Sequence, residues 1–185
     1  FNFCDQCRPG MPIAQDNWYE YICKIKELAD EIGIEFSQTH PHIYDPNDPF
    51  VTNHEWEAEL VRRSMICSGI LGTKWAVMHP LHIMKDGYSR SDYIKMNIDY
   101  FAPILETAKK YGYGLAFENM CQFGPDYVFG CNGEDLVELV DTFNDKAVGV
   151  CWDFGHGHIS VRNQRVELLK IGKRLKATHV ADNHK

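Results

Sequence analysis

Short apolar runs alternate with amphipathic helical stretches along the whole chain, and this alternation constrains the fold more than any other feature. Five runs read as strands: Ile34 to Gln38, Lys74 to Met78, Gly114 to Phe117, Ala147 to Trp152 and Ala177 to Ala181. Ahead of the first, Trp18, Tyr21, Ile22, Ile25, Leu28, Ala29 and Ile32 recur at helical spacing, which predicts a helix from Asp16 to Ile32 stopped by Gly33. A second helix is predicted from Thr52 to Gly72, with Glu55 three residues after Thr52 in capping-box spacing. A third runs from about Ser91 to Tyr111, and Pro103 predicts a kink or split within it. Gly133 to Phe143 and Val161 to Leu175 complete the series. Strands such as Val148-Gly149-Val150-Cys151-Trp152 are apolar throughout, as expected when both sheet faces are covered. Strand, loop and helix repeating at these lengths imply parallel βαβ units, hence an α/β fold in one domain over residues 1–185.

The polar residues fall where such a fold does its chemistry. The long loops, at 39–51, 79–90 and 119–132, follow strands, and the carboxyl edge of a parallel sheet is where sites are usually built. Of the nine histidines, all but His54 lie at or just beyond a predicted strand end, and Glu118 and Asp153 each close an apolar run. Five strands thus deliver His40 and His42, His79, Glu118 and Asn119, Asp153 and His156, and His179 with Asp182 to one edge. A single histidine at a strand end is more often a hydrogen-bonded cap than a ligand. Five such ends together point to a polar site. Imidazole and carboxylate are ligand types for Mn²⁺, Co²⁺ or Zn²⁺, and for Mg²⁺ where oxygen dominates, so periodicity alone selects neither metal nor reaction.

Other motifs carry less. Cys4-Asp5-Gln6-Cys7 has knuckle spacing but no second pair to complete a structural zinc site. His54-Glu55 resembles the start of a zincin helix, but Ala58 stands where the second histidine belongs. Trp75, Trp152, Phe123 and Tyr127 are expected in the core before they are expected in a pocket.

Charge and cysteine usage narrow the function classes. A net charge of −7 argues against a general nucleic-acid or anionic-membrane binder. No apolar run approaches the roughly 18 residues of a transmembrane helix. Seven cysteines, an odd number scattered through regular elements, read as reduced thiols and predict a cytoplasmic location. The opening Phe1-Asn2-Phe3-Cys4 has no initiator Met and no signal-peptide pattern, as expected of a chain that begins inside something longer.

The strand ends also carry a family resemblance. His40, Val77-Met78-His79-Pro80, Leu115-Ala116-Phe117-Glu118-Asn119-Met120, Val150-Cys151-Trp152-Asp153-Phe154-Gly155-His156 and Thr178-His179-Val180-Ala181-Asp182-Asn183 resemble the xylose isomerase-like TIM barrels. Within them the chain is most similar to the sugar phosphate isomerase/epimerase family, which includes ketose 3-epimerases, hydroxypyruvate isomerase and inosose dehydratase, and more distantly to endonuclease IV. The resemblance implies an incomplete (β/α)8 barrel covering about strands 3 to 7. It is expected to lack the first two strands and the eighth, with its second acid-base glutamate, since a full barrel takes about 250 residues.

By that resemblance Glu118, Asp153 and His179 bind a divalent metal, Mn²⁺ first, with Co²⁺, Mg²⁺ and Zn²⁺ as alternatives. Glu118 is also the catalytic acid-base, and His156, His79 and His40 line the substrate site. The implied function is a metal-dependent sugar or sugar phosphate isomerase or epimerase, working by proton transfer next to a carbonyl through an enediolate. The expected partner is the small-molecule sugar, with no nucleic acid and no membrane. Two alternatives stand beside this reading. One is an endonuclease IV-like phosphodiesterase, in which His40 and His79 complete a multinuclear cluster but the charge of −7 is unfavourable. The other is an inactive truncated barrel whose open edges pair into a homo-oligomer.

Overall fold

The computed structural model of the chain describes residues 1–83, 87–122 and 124–181. Phe123, Asp182 and Asn183, named above, lie outside the described residues. The elements run α1 (Trp18–Glu31), β1 (Gln38–Thr39), α2 (His54–Ile70), β2 (Trp75–Met78), α3 (Arg90–Lys110), β3 (Gly114–Glu118), α4 (Gly133–Phe143), β4 (Val148–Asp153), α5 (Phe154–Ser160), α6 (Gln164–Ile171) and β5 (Leu175–His179). They form two compact units, residues 1–76 with 107–114 and residues 77–106 with 115–185.

In the first unit β1 pairs in parallel with β2, Gln38 opposite Trp75 and Thr39 opposite Ala76. On the other side of β1, Asn2 makes an isolated parallel bridge with His40. The Phe3 amide donates to the His40 carbonyl and the His40 amide to the Phe1 carbonyl, both at 2.8 Å. Residues 1–3 thus act as a strand stub beside β1, which periodicity did not reveal because three residues are too few to show a period. Phe3, Cys7, Ile13, Ile22, Leu60, Cys67 and Leu71 form the core here. Arg63 ties α2 to the turn before α1. Its guanidinium donates to the Ile13 and Gln15 carbonyls at 3.0 Å and lies over the rings of Trp18 and Trp56. The helix start differs from expectation: Asn53, not Thr52, is the cap, its side chain accepting from the Trp56 amide. Asparagine satisfies the same unpaired donors, so a polar residue one step along displaces the capping box.

In the second unit β3, β4 and β5 pair in parallel. Leu115, Phe117, Val150, Cys151 and Trp152 are all fully buried, which is why these strands read as continuous apolar runs. Phe117 packs on Phe101 of α3 and Phe143 of α4, with ring centroids 4.9 and 5.5 Å away. Trp152 donates through its indole N–H to Gln164 of α6. The helix α3 runs unbroken through Pro103 rather than splitting there. The last predicted helix, Val161 to Leu175, is shorter, with α6 at Gln164–Ile171, and α5 precedes it where no helix was predicted. Val161, with its extended backbone, ends α5, and Asn163 caps α6 by accepting from the Arg165 amide.

Candidate metal centre

Register decides which side chains meet at the end of the second unit. Glu118 lies opposite Cys151 in the β3–β4 pairing, and Asp153 opposite His179 in the β4–β5 pairing. Side chains two residues apart share a face of a strand, so Glu118, Cys151, Asp153 and His179 face the same way. Phe117 and Trp152 face the helices. Three different strand ends therefore place ligand-type atoms of Glu118, Asp153 and His179 within 4.8 Å of one another.

Glu118 is the centre of this group and only 2% exposed. One of its oxygens, Oε1, lies 2.9 Å from His179 Nδ1 and 3.5 Å from His156 Nδ1, while Oε2 lies 3.3 Å from His79 Nε2. Asp153 Oδ2 is 3.7 Å from the same His179 nitrogen. The other Asp153 oxygen, Oδ1, caps α5 by accepting from the His156 amide at 2.8 Å. One carboxylate thus starts a helix with one oxygen and faces the cluster with the other. Burying two carboxylates side by side raises their free energy unless positive charge compensates. Neighbouring thiols register that negative potential. Burial pushes the Cys151 thiol up, and the charges of Glu118 and Asp153 push it further. The same causes, burial and then Asp153 and Glu118, raise the thiol of Cys121. Two buried oxygen donors and an imidazole in a negative field fit a divalent cation of the borderline-to-hard kind.

Of the residues singled out in the sequence, Glu118, Asp153, His179, His156 and His79 meet in this unit. His40 belongs to the other unit, where its Nδ1 lies 3.0 Å from the Pro41 carbonyl oxygen and 3.5 Å from Cys4 Sγ. Among the aromatics, Trp152 is fully buried and Tyr127 is half-exposed, its hydroxyl donating to Asp135.

Sequence reasoning missed two contributors. The first is α5, only seven residues long and containing Gly155 and Gly157, which both carry low helix propensity. Asp153 as an acidic cap directly ahead of it is the signal that would have revealed it. The second is what Asn119 does: the sequence places it at this edge without a role, and it is fully buried between the two carboxylate-bearing strands. Its carbonyl lies 2.8 Å from His156 Nδ1, and a carbonyl only accepts, so that nitrogen carries the proton and Nε2 is left as the acceptor of the neutral ring.

Several known proteins are similar to this chain. An uncharacterized protein of Methanocaldococcus jannaschii, MJ1311, is 28% identical over 192 residues, covering 93% of this chain and 64% of its own length. Among solved structures, the 3-keto-D-glucoside 4-epimerase YcjR from E. coli superposes with a TM-score of 0.71 at 19% identity, covering 89% of this chain and 65% of that one. The IOLI protein with a bound zinc atom superposes with a TM-score of 0.66 at 22% identity, over 92% of this chain and 61% of that one. The chain therefore spans just under two thirds of the length of each. The xylose isomerase-like TIM barrel model matches residues 2–185, nearly the entire sequence, and the chain belongs to that family.

Proposed function

We propose that this chain carries the metal site of a sugar or sugar phosphate isomerase or epimerase, with Glu118, Asp153 and His179 as the metal ligands. The observation that carries this reading is the convergence of those three side chains, two of them buried carboxylates, from three successive strands. The likeness to sugar epimerases and to a zinc-bound relative supports it. Mn²⁺ suits two oxygens and one nitrogen, with Co²⁺, Mg²⁺ and Zn²⁺ as alternatives.

A divalent cation held by Glu118, Asp153 and His179 would supply Lewis-acid polarisation of a substrate carbonyl. The protein side chains do the rest. The Glu118 carboxylate takes the proton from the carbon next to the carbonyl, giving the enediolate of the sugar. His156 presents its neutral Nε2 to a substrate hydroxyl, held in that tautomer by the carbonyl of Asn119. His79, against the other oxygen of Glu118, orients the base. Proton return to the opposite face epimerises the carbon, and return to the neighbouring carbon isomerises the sugar. Opposite-face return takes a second acid-base group, for which the family resemblance implies a glutamate on the eighth barrel strand.

The test is the full-length, metal-loaded protein with a panel of ketoses and their phosphates in D₂O. Deuterium entering carbon next to the carbonyl in at least one sugar is the expected result. Absence of exchange across the panel, with metal bound, overturns the reading.

A further inference from the structure

We propose that Asn119 is the positioning residue of the metal site, its side chain setting the Asp153 carboxylate. This rests on the metal-ligand reading above, and the test separates the two.

The β3–β4 backbone ladder runs as far as the Asn119 amide, which donates to the Cys151 carbonyl at 3.3 Å. Beyond that point the Asn119 side chain replaces the backbone. Its Nδ2 donates to the Asp153 carbonyl at 3.0 Å, and its Oδ1 accepts from the Asp153 amide at 2.5 Å. A carboxamide has the donor and acceptor of a peptide group, so the side chain forms one more rung after the strand has ended. That rung grips both backbone groups of the residue whose carboxylate faces Glu118 and His179. The Asn119 backbone carbonyl, which substitution leaves in place, separately accepts from His156 Nδ1–H. Asn119 is fully buried, so water cannot take over the two side-chain bonds to Asp153 when the carboxamide is removed.

The unit holds a second rung of the same design, which serves as an internal control. Asn97 of α3, equally buried, accepts from the Leu81 amide at 2.7 Å and donates to the Leu81 carbonyl at 3.0 Å. It grips a loop residue that offers no ligand atom. Both asparagines therefore do the same structural work, and only Asn119 does it on a proposed ligand.

The experiment is calorimetric Mn²⁺ titration of the full-length protein and of Asn119→Ala, Asn97→Ala and Asn119→Asp, each with its melting temperature measured. Outer contacts of metal ligands are worth roughly 10- to 100-fold in affinity. Asn119→Ala is expected to weaken Mn²⁺ binding about tenfold or more, while Asn97→Ala loses comparable thermal stability and binds within about twofold of wild type. Asn119→Asp keeps the size and the acceptor but loses the donor to the Asp153 carbonyl. Its added negative charge alone would tighten cation binding, so weaker binding in this variant reports lost positioning even if the alanine variant fails to fold. Wild-type affinity in both Asn119 variants, or an equal loss in Asn97→Ala, overturns the role of Asn119. Absence of Mn²⁺ binding by the wild-type protein overturns the metal reading itself.

Discussion

Arg90 Nη2 lies 2.6 Å from Asp135 Oδ1, an ion pair between a guanidinium about one third exposed and a fully buried carboxylate. The other Asp135 oxygen accepts from the Tyr127 hydroxyl, the Gly130 amide and Asn132 Nδ2 at 2.8 to 3.0 Å. Glu134, with Asp135 behind it, holds the guanidinium of Arg90 charged well beyond the ordinary arginine range. This single aspartate ties the loop residues Tyr127, Gly130 and Asn132 to Arg90, the first residue of α3. Arg90→Ala leaves the carboxylate buried with neutral donors only. After discounting for the exposure of Arg90, the expected cost is about 2 kcal/mol. A melting temperature lowered by several degrees, read by calorimetry, is the check.

Asp153 holds two jobs that substitution separates. Asp153→Asn keeps an oxygen for the His156 amide, and so keeps the cap of α5, but removes the charge facing the cluster. Its expected signature is Mn²⁺ affinity reduced at near-wild-type stability. Asp153→Ala loses both and destabilises the fold by about 1 kcal/mol in addition. Paired titration and thermal unfolding of the two variants distinguish them, and equal metal affinity in wild type and Asp153→Ala removes Asp153 from the site.

Acid sensitivity arises in the other unit. The Arg62 guanidinium, hydrogen-bonded to Glu59 together with Arg63, holds the Glu59 carboxyl down at about 2. A depressed carboxyl contributes stability above the unfolded value of about 4.3 and loses it as pH falls toward the folded one. Stability should therefore decline between about pH 4.3 and 2, and Glu59→Gln should flatten that limb while lowering stability at neutral pH. Urea unfolding across the acid range reads both effects.

Gly157 allows α5 to lie against its surroundings. A Cβ there would come within 2.5 Å of Gln164 Oε1 and 2.9 Å of Trp152 Cζ2. Gly157→Ala must displace the glutamine that accepts from the Trp152 indole, at an expected cost of roughly 1–3 kcal/mol. Trp152 fluorescence and thermal unfolding check it together.

What the sequence discloses is the part of the fold that depends on long apolar patterns. Helix α4 falls on the predicted Gly133 to Phe143, because a strong apolar stripe and the cap Asn132 agree. Strands β3 and β4 run one residue further than predicted, through Glu118 and Asp153, because a terminal carboxylate can still hold its backbone in the ladder. Strand β1 is displaced from Ile34–Gln38 to Gln38–Thr39, and Ile34 is exposed. Here an apolar run alone misplaces the element, since the pairing is fixed by the partner strand and by the Asn2 stub. Glu118 and Asp153 were legible because each closes an apolar run, whereas His179 ends β5 only because that strand runs Leu175–His179, two residues earlier than the predicted Ala177 to Ala181. The side-chain bonds of Asn119 were not legible, because they depend on the direction of a carboxamide relative to the backbone of a residue 34 positions along the chain, which a linear string does not show.

The sharing of one carboxylate by three imidazoles has a consequence for how this site can change. His79, His156 and His179 all lean on Glu118, so replacing one alters the orientation of the acid that the other two contact. Groups coupled through a common partner do not contribute independently, and the sum of single substitutions misstates the double. Variation at these four positions is therefore expected to be epistatic: a histidine exchange tolerated in one background is damaging in another. New specificity is reached more easily through the loops that follow the strands than through the cluster itself.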